Sequence, residues 1–137
     1  MFIVKFLNDE IIKVKDLNEI SKPKQVKSVK WDSPEKYLIP NNIIFRRFSN
    51  IESIFGGYIL PRDSSCLFSN LKFLKMLSPD IDSSNTTGMG RMFYNCSNFS
   101  GDLKGWNTNR LMDNTAMFHG CKNFSDDHEH IQNNYPK

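Results

Sequence analysis

Two histidines flank a glutamate near the end of the chain, at His128-Glu129-His130. Imidazole nitrogens and carboxylate oxygens are the donors that zinc and related metals prefer. Alternate residues of a strand share one face, so both imidazoles could reach a single ion. No third ligand stands at a recognisable spacing, and charged residues replace the apolar pattern here. We therefore interpret the segment as a polar terminal edge and expect no metal and no cofactor.

Thiol chemistry is the second possibility, because Cys96 and Cys121 lie 25 residues apart and His119 precedes Cys121 by two positions. A reactive thiolate needs a nearby positive charge or base that lowers its pKa, and the surrounding residues supply neither. Together with Cys66 they make an odd number of cysteines without a Cys-x-x-Cys pair. We expect packed thiols, no catalytic residue and no enzyme activity.

Basic residues in the first third of the chain could contact a polyanion. The net charge of the 137 residues is only +3, however, and Trp31 is the one aromatic residue placed among the basic ones. We predict a solvated basic surface and no nucleic-acid partner. The residues concerned are Lys22, Lys24, Lys27, Lys30, Arg46 and Arg47.

The chain repeats itself with a period of 25 residues. Met92-Phe-Tyr-Asn-Cys-Ser-Asn-Phe99 aligns with Met117-Phe-His-Gly-Cys-Lys-Asn-Phe124, with Phe, Cys, Asn and Phe at equal offsets. One such unit cannot form a core alone, so each must bury its apolar residues against its neighbours. Four apolar columns follow: Phe68, Phe93 and Phe118; Leu71, Cys96 and Cys121; Leu74, Phe99 and Phe124; Ile81, Trp106 and Ile131.

Each unit combines two local patterns. Phe99, Leu103 and Trp106 surround a short extended segment, whereas residues 111–118 have apolar residues at helical spacing and contain neither Gly nor Pro. In the preceding unit Thr87 can cap a helix that runs to Phe93. We therefore predict a short strand, a turn and a short helix in every unit. The predicted fold is an α/β solenoid with parallel strands on one side and helices on the other.

The first part of the chain does not repeat. Its alternation around Asn8-Asp9 predicts a β-hairpin, Asp16 can cap a helical turn, and residues 25–31 read as a third strand. Ser33-Pro34 has the order of a helix start. We predict two parts: residues 1–41, a β-rich element that caps the repeats, and residues 42–137, the repeats with a polar C-terminal cap.

Exposed positions beside the predicted strands are the candidate binding surface. If Phe99 and Leu103 point inward, a polar ladder faces outward, and solenoids commonly bind their partners there. An equally good interpretation is that the aspartates accept hydrogen bonds from turn amides. The candidate residues are Ser100, Asp102, Lys104, Ser125 and Asp127.

The units resemble the BspA-like leucine-rich repeats, in the 25-residue variant common in mycoplasma surface proteins. The likeness lies in Ile81-Asp82-Ser-Ser-Asn-Thr-Thr-Gly-Met-Gly-Arg-Met-Phe-Tyr-Asn-Cys-Ser-Asn-Phe-Ser-Gly-Asp-Leu103 and extends over about residues 43–131. The resemblance implies a leucine-rich-repeat solenoid that mediates adhesion or protein interaction. It implies no catalytic residue and no cofactor.

The start of the chain shows no signal peptide and no lipoprotein anchor, and no apolar stretch is long enough to span a bilayer. We expect a cytoplasmic or virion-associated protein without membrane insertion. The leading hypothesis is a non-enzymatic module that binds another protein. The alternative is a structural component of a multi-subunit assembly, such as a minor virion protein.

Overall fold

The alternation at the start of the chain forms two strands, β1 (Phe2–Phe6) and β2 (Ile11–Val14), in a computed structural model that describes residues 1–124 and Ile131. They pair antiparallel, and Asp9 adopts a positive φ of 70° in the connecting turn. The predicted hairpin is confirmed. So is the helical turn, a 3-10 helix at Leu17–Glu19 whose N-cap Asp16 accepts the Asn18 amide. A second 3-10 helix, Pro23–Gln25, precedes the third strand.

The third strand, β3 (Val26–Trp31), was also predicted. The remaining strands are β4 (Tyr37–Leu38), β5 (Ser53–Phe55), β6 (Tyr58–Ile59), β7 (Met76–Leu77) and β8 (Ile81–Asp82). Five strands form a mixed sheet, sheet A, in the order β2-β1-β3-β5-β7, with β3, β5 and β7 parallel. A second, smaller sheet, sheet B, contains β4, β6 and β8, all parallel.

A series of tight turns follows sheet B in each repeat and joins the units by hydrogen bonds. The Phe68 amide donates to the Met92 carbonyl at 3.0 Å, and the Phe93 amide donates to the Met117 carbonyl at 2.9 Å. Every second amide donates to the next unit, as those of Cys66, Phe68 and Asn70 do, and the backbone adopts a positive φ at two of these positions. The positive-φ residues recur every 25 positions: Cys66, Arg91 and Ala116 in one series, and Asn70, Asn95 and Gly120 in the other.

Aromatic rings form the centre of the core. Phe93 stacks on Phe68 at a centroid distance of 5.4 Å and on Phe118 at 5.7 Å. Phe99 stacks on Phe124 at 5.9 Å in the neighbouring column. The predicted Phe68, Phe93 and Phe118 column is therefore confirmed, and burial of these rings supplies the hydrophobic stabilisation that a single unit lacks.

The predicted α/β leucine-rich-repeat solenoid with helices is wrong. Within residues 1–124 the structure has two small sheets and no α-helix, and the predicted helices at 87–93 and 111–118 are successions of turns. No helix begins at Ser33-Pro34 either. The physical reason is where the amides bond: those of Arg91 and Phe93 donate to the next unit, which prevents the i to i−4 bonds of a helix.

The predicted division of the chain at residue 41 stays a prediction. Sheet A contains strands from both predicted parts: β1, β2 and β3 from residues 1–41, and β5 and β7 from residues 42–137. In the part of the chain that the structure describes, no helix has the length and apolar character needed to cross a membrane.

Candidate partner-binding surface

Three of the residues singled out from the sequence lie between the buried Phe99 and Trp106. Ser100, Asp102 and Lys104 are all exposed. An Asp102 carboxylate oxygen accepts the Lys104 amide at 2.9 Å, which is the turn role that the sequence also allowed. Ser125 and Asp127 lie outside the described residues. A binding role for these five residues stays a prediction.

A more extensive surface lies on the solvent side of sheet A, and we call it the outer face. The register aligns five residues across all five strands in a first row. Buried neighbours such as Val4, Val29 and Ile54 fix this orientation, because successive side chains in a strand alternate between faces. The first row is Ile11, Lys5, Ser28, Ser53 and Met76.

A second row crosses the same face two residues further along each strand. It contains Lys13, Ile3, Lys30 and Phe55. Neither row contains a carboxylate. Two carboxylates form ion pairs at the rim, where Asp9 is 3.7 Å from the Lys5 ammonium and Glu52 is 3.7 Å from that of Lys75. The outer face is therefore both apolar and positively charged.

Three large apolar side chains make this face unusual, since Ile11, Phe55 and Met76 are 59%, 36% and 51% exposed. Phe73, which is 49% exposed, lies three residues before β7. The sequence contained a signal for Phe73, because the same repeat position is Asn98 and Asn123 in the following units. The sequence analysis did not identify Phe55 and Met76, since only the strand register brings them to one surface.

The thiols of Cys96 and Cys121 are part of the packing, as predicted. Each donates to a backbone carbonyl of the preceding unit, Cys96 to Phe68 and Cys121 to Phe93. Burial raises the pKa of the Cys96 thiol to about 12 and that of Cys121 to about 11. Both thiols are therefore protonated at neutral pH and are poor nucleophiles there.

The raised pKa of Cys96 leads to a prediction on alkaline stability. Below the ordinary pKa of 9.0 the thiol is neutral in the folded and in the unfolded chain, so its ionisation does not lower the free energy of unfolding there. Above that pH the unfolded chain ionises first, and stability falls as pH rises towards 12. The fall approaches about 1.4 kcal/mol per pH unit for this group. Urea unfolding of the wild type and Cys96→Ala between pH 8 and pH 10.5 measures the difference; equal pH slopes would contradict it.

Two of the residues considered for polyanion binding have structural partners. The Arg47 guanidinium donates to the Ile20 carbonyl at 2.8 Å. The Trp31 indole N–H donates to the Glu35 carbonyl at 2.7 Å, and its ring packs on Phe2 at 4.9 Å. These contacts hold both side chains against the protein rather than presenting them as a stacking platform.

Residues 1–124 and 131 contain no cluster of three or more potential metal ligands. The His128-Glu129-His130 segment lies outside the described residues.

A family model described as "Mycoplasma protein of unknown function, DUF285" matches residues 62–134, which is more than half of the chain. Comparison with curated proteins and with solved structures gave no significant match.

Proposed function

This chain belongs to the family of Mycoplasma proteins of unknown function, DUF285, and we propose that it is a non-enzymatic module that binds another protein through the outer face of sheet A. The observation that carries the proposal is the exposure of Phe55 and Met76 in rows that also contain three lysines. Phenylalanine and methionine are enriched in protein interfaces, whereas isolated surface positions are usually polar.

The chemistry of the face defines the partner. A complementary surface would cover Phe55 and Met76 with apolar side chains and place carboxylates opposite Lys13 and Lys30. The apolar contacts would supply most of the affinity, because a rim charge that stays hydrated contributes little free energy. We therefore propose an acidic protein partner with an apolar centre, and neither a nucleic acid nor a membrane.

We further infer that the units are BspA-like repeats. The support is the residue pattern from Ile81 to Leu103, together with the 25-residue spacing between Met92-Phe93 and Met117-Phe118. This kinship concerns the pattern of the units, which here are built from short strands and turns. It adds weight to an interaction role, since repeats bind through surfaces that several units build together.

The test is affinity capture with the tagged chain from cells of the source organism, followed by mass spectrometry. We expect the wild type to retain a partner that the double variant Phe55→Ser, Met76→Ser loses. Met112→Ser is the matched control, because Met112 is 75% exposed but lies outside both rows. Equal capture by all three proteins would sink the assignment of the outer face.

A structural role in a larger assembly is the second candidate, with a minor virion protein as one form of it. It is favoured by exposed apolar residues away from the outer face, at Leu38, Ile43 and Met112. A subunit that contacts several neighbours in an assembly is expected to have several apolar interfaces. Size-exclusion chromatography with light scattering separates the two: a well-behaved monomer supports the binding module, whereas insolubility without partners supports the assembly subunit.

A further inference from the structure

We propose that the β2 edge of sheet A binds an extended strand of a partner protein in which acidic and apolar residues alternate. This site goes beyond the proposed function, because it binds through backbone hydrogen bonds at the edge; it shares Ile11, Lys5 and Lys13 with the outer face but does not use Phe55 and Met76. It can exist whether or not the outer face binds anything.

In the part of the chain that the structure describes, one side of the β2 backbone is unpaired. β2 is an outermost strand of sheet A, and β1 covers only its other side. The hydrogen bond from the Phe6 amide to the Glu10 carbonyl, 2.9 Å, fixes the antiparallel alternation. The amides and carbonyls of Ile12 and Val14 accordingly form hydrogen bonds with β1, whereas those of Ile11 and Lys13 point away from it. Ile11 is 59% exposed.

A groove runs beside this edge on the core side of the sheet. It has a volume of about 860 Å³, and Phe6, Ile12 and Pro23 give it apolar walls. Its charged residues are Glu10 and Glu19 with Lys22 and Lys24, so the two signs offset each other. An added strand would direct every second side chain into this groove. Apolar side chains are therefore expected at those positions.

The opposite side of the edge has a different character. Lys13 and Lys15 are exposed there, and the Lys5 side chain lies one strand further in. The other side chains of an added strand would point towards these lysines, so acidic residues are favoured at the alternate positions. Extended peptides bind other sheet edges in this way, with backbone bonds for affinity and side chains for selectivity.

A second copy of this chain is the less suitable occupant. Pairing of two β2 edges would bring Lys13 and Lys15 of both copies into one small area, and like charges at an edge oppose such pairing. The lysines thus disfavour self-association while they favour an acidic strand. This difference decides between the two occupants.

The probe is a short peptide that alternates glutamate and valine, compared with one that alternates lysine and valine. We expect the glutamate peptide to bind more tightly and to slow the amide hydrogen exchange of Ile11 and Lys13 specifically, measured by NMR. Lys13→Glu should reduce the preference for the glutamate peptide roughly fivefold, as expected for one exposed charge pair.

The edge itself is tested with Ile11→Pro, which removes one outward amide, against Ile11→Val, which keeps it. Proline is tolerated on the solvent side of an edge strand. We expect Ile11→Pro to weaken binding of the glutamate peptide about tenfold and Ile11→Val to leave it unchanged. The Phe55→Ser, Met76→Ser variant should bind this peptide like the wild type, which separates failure of this site from failure of the outer face.

Three outcomes would overturn the proposal. One is equal binding of both peptides by the wild type and Lys13→Glu. Another is peptide binding without slower exchange at Ile11 and Lys13. The third is slower exchange there that depends on protein concentration in the absence of peptide, since that result identifies a second copy as the occupant. If Ile11→Pro does not fold, the exchange measurement and Lys13→Glu still decide the question.

Discussion

Phe93→Ala is expected to lower the free energy of unfolding by about 3–5 kcal/mol, the range for truncating a fully buried phenylalanine. The Phe93 side chain is 0% exposed. Its ring lies 5.4 Å from Phe68, 4.4 Å from Phe99 and 5.7 Å from Phe118. It therefore joins three successive units, and its removal leaves a cavity between all of them.

Urea or thermal denaturation measures this loss, and Phe73→Ala is the matched control. Phe73 is the same residue type in the same repeat region but is 49% exposed, so its truncation should cost less than about 1 kcal/mol. Phe93→Asp should go further and unfold the whole chain in one transition, because a carboxylate would be buried without a partner. A folded Phe93→Asp protein with only a local change would show that the stack is not one cooperative unit.

Gly56→Ala is expected to have the next largest effect, a destabilisation of about 2–4 kcal/mol from backbone strain and steric overlap. Gly56 has a φ of +101° where the chain leaves β5 for sheet B. A Cβ atom there would lie 2.5 Å from the Trp31 carbonyl oxygen and 2.9 Å from the Trp31 amide nitrogen. Both contacts are with backbone of the adjacent strand, which cannot rotate away.

Gly105→Ala provides the control for this substitution. A Cβ atom at Gly105 would meet no heavy atom within 4 Å, and its φ is not in the positive region. Alanine there should be neutral or stabilise the protein by about 0.4–1 kcal/mol, because it restricts the unfolded chain. Calorimetry on both variants checks the contrast; similar melting temperatures would contradict the strain argument at Gly56.

The sequence predicted the elements whose pairing is local. Alternation around Asn8-Asp9 specified the β1–β2 hairpin, and Asp16 specified the cap of the 3-10 helix. The repeat period predicted the stacked Phe68, Phe93 and Phe118 column, because equal spacing places equivalent side chains beside each other. These features depend on residue type and spacing, and both can be read directly from the chain.

The helices were wrongly predicted because the apolar spacing of residues 111–118, which fits a helix, also fits a succession of turns. Ala116 adopts a φ of +53°, and Cys66 and Arg91 adopt +62° and +54° at the equivalent positions. None of these residue types signals a left-handed conformation. Hydrogen bonds between units stabilise this conformation, such as that from the Arg91 amide to the Thr115 carbonyl at 2.9 Å. The spacing of apolar residues within one unit contains no information about hydrogen bonds to the next unit.

The sequence by itself determined that this protein is built from units that must be stacked, which aromatic rings meet in the core, and that Cys96 and Cys121 are packed thiols. Only the tertiary structure decided that turns replace helices and that Lys30, Phe55 and Met76 share an exposed face. The physical reason is the range of the interactions: side-chain burial follows residue spacing, whereas strand register and bonding between units depend on segments that are distant in the chain.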